Sequence, residues 1–175
     1  MSNEYNRAST TTPAMDEETT VPVNAVFDMA RQGDVESLEA WLDQDLSPNM
    51  ATTQGESLLM IASYHGHKAT AHALLARGAD PDQRNDSGQS PIAGASFKGD
   101  RTMVELLLAH GASVEGAAND GKTALMMAAM FNQVDVLDTL LAHGADPARE
   151  DADGMTALSL AKAMGAVDAQ RRLDQ

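Results

Sequence analysis

A chain of 175 residues has the length of one ordinary domain. With 43% apolar but only 3% aromatic residues, its core must be filled by Ala, Leu and Met, which favours helices. The formal charge of −14 sets the surface against phosphate backbones and anionic lipid, so no nucleic acid and no membrane is expected as a partner; the acidity serves either plain solubility or a basic partner. With no cysteine there is no disulfide framework and no thiolate metal site.

Residues 1–22 are mostly Ser, Thr, Asn, Glu and Pro. They lack the basic stretch followed by an apolar stretch that marks a secretory signal, and they offer too little apolar surface to repay ordering. A disordered N-terminal tail is predicted there, ahead of a folded region over 23–175. Nor is there a run of about 18 apolar residues anywhere, so no membrane-crossing helix is expected and the cytoplasm is the expected location.

From residue 51 the chain repeats itself. Gly78-Ala79-Asp80, Gly111-Ala112-Ser113 and Gly144-Ala145-Asp146 recur every 33 residues, and Gly55, Gly88, Gly121 and Gly154 keep the same step. Apolar positions follow in register: Leu59, Ile92, Leu125 and Leu158; Ala62, Ala95, Ala128 and Ala161; Leu74-Leu75, Leu107-Leu108 and Leu140-Leu141. Within each unit they fall in two short bursts of helical spacing, which predicts two short amphipathic helices. Ser57, Ser90, Thr123 and Thr156 precede the first burst as N-caps, and Gly66, Gly99 and Asn132 stop that helix in a left-handed turn.

In chain order the units are a capping unit over 23–50, three full repeats over 51–83, 84–116 and 117–149, and a C-terminal cap over 150–175. The first cap carries Phe27, Met29-Ala30, Gly33-Asp34 and Trp41-Leu42 one period ahead of their counterparts. Its other face is polar, as an end unit requires.

Three segments resemble those of the ankyrin repeat family: Gly55-Glu56-Ser57-Leu58-Leu59, Ile61-Ala62-Ser63-Tyr64-His65-Gly66-His67 and Leu74-Leu75-Ala76-Arg77-Gly78-Ala79-Asp80. The resemblance covers residues from about 24 to 175. It implies an all-α solenoid in which every unit is a turn, two antiparallel helices and a loop. The family's T-P-L-H segment is degraded: Pro91 is its one proline, and Met60, Ala93, Met126 and Ser159 stand where the family has a histidine that stitches units together. Weaker polar stitching is therefore expected.

The resemblance also implies a concave binding face lined by turn tips and first helices. On it fall Tyr64-His65, Phe97-Lys98 and Met130-Phe131, with Gln54, Gln89 and Lys122 beside the turn glycines. Much of the scarce aromatic content lies in this column. Aromatic side chains in register suit recognition, since they supply large rigid contact area; the competing reading packs each ring on the neighbouring unit. The five histidines and the carboxylates form no catalytic or metal-binding motif, so no enzyme activity, no cofactor and no metal are expected. The expected function is a monomeric protein-interaction module acting as adaptor, inhibitor or chaperone-like subunit. The alternative is a non-selective structural or stabilising protein.

Overall fold

A computed structural model describes residues 22–175; the tail expected over 1–22 lies outside them apart from Pro22. The described residues form ten helices: α1 (Val23–Gln32), α2 (Val35–Leu42), α3 (Leu58–Tyr64), α4 (Lys68–Ala76), α5 (Pro91–Lys98), α6 (Arg101–Ala109), α7 (Ala124–Met130), α8 (Val134–Ala142), α9 (Ala157–Met164) and α10 (Val167–Leu173). Turns of two or three residues join them in five pairs, one per predicted unit. Odd-numbered helices stack in one layer and even-numbered helices in the other, and the substantial helix contacts lie within a unit or between adjacent units. Strand pairing among the described residues is confined to single bridges, Ala51 with Ser57 and Ala117 with Thr123.

The stacking follows from the repeated small residues. Ala62, Ala95, Ala128 and Ala161 are fully buried, which lets successive first helices approach closely. Ile92 is fully buried and Leu59 and Leu125 nearly so, while Leu74, Leu107 and Leu140 fill the space between the layers. Leu158 is only half-buried, in the terminal unit.

Capping agrees with the sequence at three of four sites. Ser57 Oγ accepts the Met60 N–H at 3.1 Å, Thr123 Oγ1 the Met126 N–H at 3.3 Å and Thr156 Oγ1 the Ser159 N–H at 3.3 Å. Ser90 departs from the expectation: its side chain makes no cap bond, and its carbonyl instead accepts the Ala93 N–H at 3.1 Å. Pro91, at the first helical position, is pre-set for helix by its ring and has no N–H to satisfy. Asn132 takes the left-handed conformation, φ 58°, where the other units place glycine. Its side-chain oxygen also accepts the Asp168 and Ala169 N–H groups at 3.1 and 2.9 Å, capping α10 of the next unit.

Polar stitching has moved rather than vanished. At the turn tips, the N–H groups of Asp86, Asn119 and Ala152 donate to the carbonyls of Gln54, Ser87 and Asp120 of the preceding unit at 3.0, 3.1 and 2.9 Å. At the opposite end, Asn49, Asp82 and Glu115 accept the N–H groups of Asp80, Ser113 and Asp146 of the following unit. Arg77 spans back to Glu39 and Asp43, and Arg149 to Glu115. In contrast, the buried hydroxyls of Ser63, Thr70 and Ser96 have no partner among the described residues.

Candidate functional site

The first-helix face is where the aromatic residues gather, and their geometry follows one rule. Tyr64 ends α3 and Phe97 occupies the penultimate position of α5, one period on; their rings stack at 6.2 Å and 10°. The residue that follows each of these positions in the next unit then leans back over it. Lys98 Nζ lies 4.8 Å from the centroid of the Tyr64 ring, and the Phe131 ring meets Phe97 edge-on at 4.4 Å and 76°. His65 abuts Tyr64 at 5.6 Å. The result is a continuous row from His65 through Tyr64 and Phe97 to Phe131, spanning three units.

The row is neither core nor a set of isolated surface rings. Tyr64 is 42% and Phe131 39% exposed, whereas Phe97, held between them, is half-buried. Each ring packs on its neighbour and offers its remaining surface to solvent. Met130, by contrast, is half-buried and packs against the core. Met164 stands one period after Phe131, at the end of α9, and is 54% exposed. By register it is the terminal unit's counterpart of Phe131.

Beside the row runs a groove of about 450 Å³. Tyr64, His65 and Phe97 border it, Met60, Ile61, Ala93, Gly94 and Met127 line it, and Glu56, Gln89 and Arg31 stand around its mouth. A shallower hollow continues along the turn tips past Gln89 and Lys122. Of the expected residues the groove and this hollow thus bring together Tyr64, His65, Phe97, Gln89 and Lys122. Lys98 borders a smaller hollow with Tyr64 and His65. Gln54 is exposed on its turn tip and lends its carbonyl to the inter-unit ladder. The methionine, isoleucine and glycine lining was not anticipated. Its signal was the column Ile61, Gly94, Met127 and Leu160, in which one member has no side chain.

Lys122 is less available than a rim lysine would be. Its ammonium lies 3.0 Å from Asp120 Oδ2 and 3.3 Å from Asp151 Oδ2 in the next unit. That oxygen of Asp151 is buried and makes no well-formed hydrogen bond, so Lys122 is its one close counter-charge among the described residues. The hydrogen bond to Asp120, working against burial and helped by Asp151, holds the Lys122 ammonium above its ordinary value. The Met155 N–H, against burial and with further help from the Asp153 N–H and Lys122, holds the Asp151 carboxyl below its own.

Three of the five histidines make backbone contacts. His67 Nε2 lies 2.8 Å from the Arg31 carbonyl of the preceding unit, and the Nδ1 atoms of His110 and His143 lie 2.9 and 2.8 Å from carbonyls one turn earlier. Among the described residues no group of three or more His, Asp or Glu side chains is placed to hold a metal ion. No helix among them is long and apolar enough to cross a membrane.

Stacked helical hairpins with a grooved first-helix face define the chain as an α-helical repeat solenoid. The ankyrin repeat family, as three tandem copies, matches residues 26–118 and 113–173, so the chain belongs to the ankyrin repeat family. A Pseudomonas aeruginosa protein described as an ankyrin repeat protein is 59% identical over 58 residues, a stretch that makes up 33% of this chain and 34% of that relative. The match therefore spans about a third of the relative's length. Ankyrin repeats are generally protein–protein interaction modules, and the family is generally non-catalytic.

Proposed function

We propose that this protein binds another protein through its first-helix face and acts as an adaptor, inhibitor or chaperone-like subunit, as a cytoplasmic monomer without catalytic activity of its own. The observation that carries this reading is the row of Tyr64, Phe97 and Phe131, which leaves aromatic surface in solvent beside an open apolar groove. An apolar centre with a polar border is the anatomy of a binding hot spot. Rings that already brace one another lose little freedom when a partner covers them, which lowers the entropic cost of association.

The test is stoichiometric capture from the native lysate by wild-type protein and by Tyr64→Ala and Phe131→Ala variants of verified fold. Truncating one anchor typically costs about 1–3 kcal/mol of binding, or roughly ten- to a hundredfold in affinity. A partner retained equally by all three proteins would move the binding surface elsewhere. The absence of any stoichiometric partner would favour the non-selective stabilising role.

A further inference from the structure

Gly94 sits in the middle of α5, yet neither the backbone nor the packing there asks for glycine. Its conformation is not left-handed, unlike that of the turn glycines. A Cβ added to it would meet Tyr64 Cδ2 at 3.6 Å, an ordinary contact that alanine would make without strain. Glycine is also a poorer helix former than alanine, because it has more backbone freedom to lose. The equivalent residues in the other units are Ile61, Met127 and Leu160, all long and apolar. Where those fill space, Gly94 opens it, and its neighbour Ala93 stands small between Met60 and Met126 of the adjacent units. The opening forms part of the groove beside the Tyr64 and Phe97 rings.

The charges around this opening are predominantly negative. Lys98 is engaged over the Tyr64 ring, Arg31 pairs with Asp28 at 2.8 Å, and Lys122 is held between Asp120 and Asp151. Glu56 at the groove and Asp86 on the neighbouring turn tip make no ion pair among the described residues. The formal charge of −14 adds a long-range field of the same sign.

We propose that the opening over Gly94 is a specificity pocket that takes one apolar side chain from a partner segment whose flanking basic residues face Glu56 and Asp86. This rests on the first-helix face being the binding surface, and it names the chemistry of what binds there. The aromatic walls supply rigid contact, and the flexible thioether of Met127 adapts to the shape of the inserted chain. The carboxylates select for charge and speed encounter more than they add affinity. A glycine that weakens its own helix and shapes a pocket is a local compromise of the kind found at binding sites.

The test pans a phage library of random short peptides on the full chain, then titrates the synthesised winners by fluorescence anisotropy against wild type, Gly94→Ala, Gly94→Met and Tyr64→Ala. The winners should carry one Leu, Met or Phe beside Lys or Arg. Gly94→Ala should melt about a degree or more higher than wild type yet bind them several-fold more weakly. Gly94→Met should lose more than about tenfold. Should Gly94→Met fold poorly, Gly94→Ala alone decides, and unchanged affinity in that variant overturns the pocket.

If the Gly94 variants bind like wild type while Tyr64→Ala fails, the pocket falls and the wider binding face stands; if Tyr64→Ala also binds normally, both fall. Acidic winners, or none, overturn the proposal as well. A concentration-dependent dimer that Gly94→Met abolishes in sedimentation would give the pocket to a second copy. Peptide affinity that rises several-fold on deleting residues 1–21 would give it to the chain's own N-terminal segment. Either result overturns a separate basic partner.

Discussion

Phe97 is the residue whose removal tests the packing of the aromatic row most sharply, because it alone touches both of the other rings. Phe97→Ala deletes the stack with Tyr64 at 6.2 Å and the edge contact with Phe131 at 4.4 Å. Aromatic pairs are worth about 0.5–1.5 kcal/mol each beyond their area, so with its half-buried surface the ring should contribute roughly 2–3 kcal/mol. For a domain of this size that is a fall of roughly 5–10 °C in Tm. Phe131→Ala loses one aromatic pair and less buried surface, and should cost about half as much, whereas Tyr64→Ala also gives up the edge contact with His65 and the Lys98 ammonium and should fall between the two. The decisive assay is a pair of double-mutant cycles by urea denaturation. The coupling between Phe97 and Phe131 should be about 0.5–1.5 kcal/mol, whereas that between Tyr64 and Phe131, which do not meet, should lie within about 0.5 kcal/mol of zero. Equal couplings in the two cycles, or none in either, would refute the reading of the row as a chain of pairwise contacts.

Three further outcomes follow from particular residues. Ser63→Ala and Ser96→Ala remove buried hydroxyls that have no partner, at a position where the next unit already holds Ala129, and each should raise stability by up to about 1 kcal/mol in urea melts; a comparable loss would reveal a hidden partner. Asn132→Ala should cost about 2–3 kcal/mol, since alanine both resists φ 58° and gives up the two cap bonds to α10, whereas Asn132→Gly should recover roughly half by restoring the backbone; equal losses would mean that the backbone term is negligible. Because Asp151 titrates below its ordinary value of 3.8, its contribution is present above that pH and is lost as the pH falls through its lower folded-state value. The fall in urea midpoint between about pH 5 and about pH 3 should therefore be shallower in Asp151→Asn than in wild type, and parallel curves would contradict the lowered titration of Asp151 in the folded state, which the Met155 N–H chiefly sets.

The repeat, its helix pairs and most caps were legible because each rests on a residue type that backbone physics requires: alanine where helices touch, glycine or Asn132 where the chain turns left-handed. The Ser90 cap departs from the pattern although its backbone is as extended as at the other three caps, and nothing in the structure explains the missing bond. Of the site, the aromatic column was visible in register, but the pairing of Phe131 with Phe97 was not. That contact crosses from one repeat position to the next, and periodicity aligns only equivalent positions. The pairing of Lys122 beside its turn glycine was not legible because Asp151, its second partner, lies in the following unit. The groove was not legible because periodicity marks residues that protrude in register, and Gly94 acts by what it leaves out.

Neighbour-only packing has a consequence for where this protein can come apart. Among the described residues each terminal helix pair packs on one neighbouring unit, so fraying should begin in α1–α2 or α9–α10 and move inward. Tyr64, Phe97 and Phe131 belong to the three interior units, beyond the reach of the first such event. The terminal units thus act as sacrificial bumpers: they can melt and re-form many times while the surface between them keeps its shape.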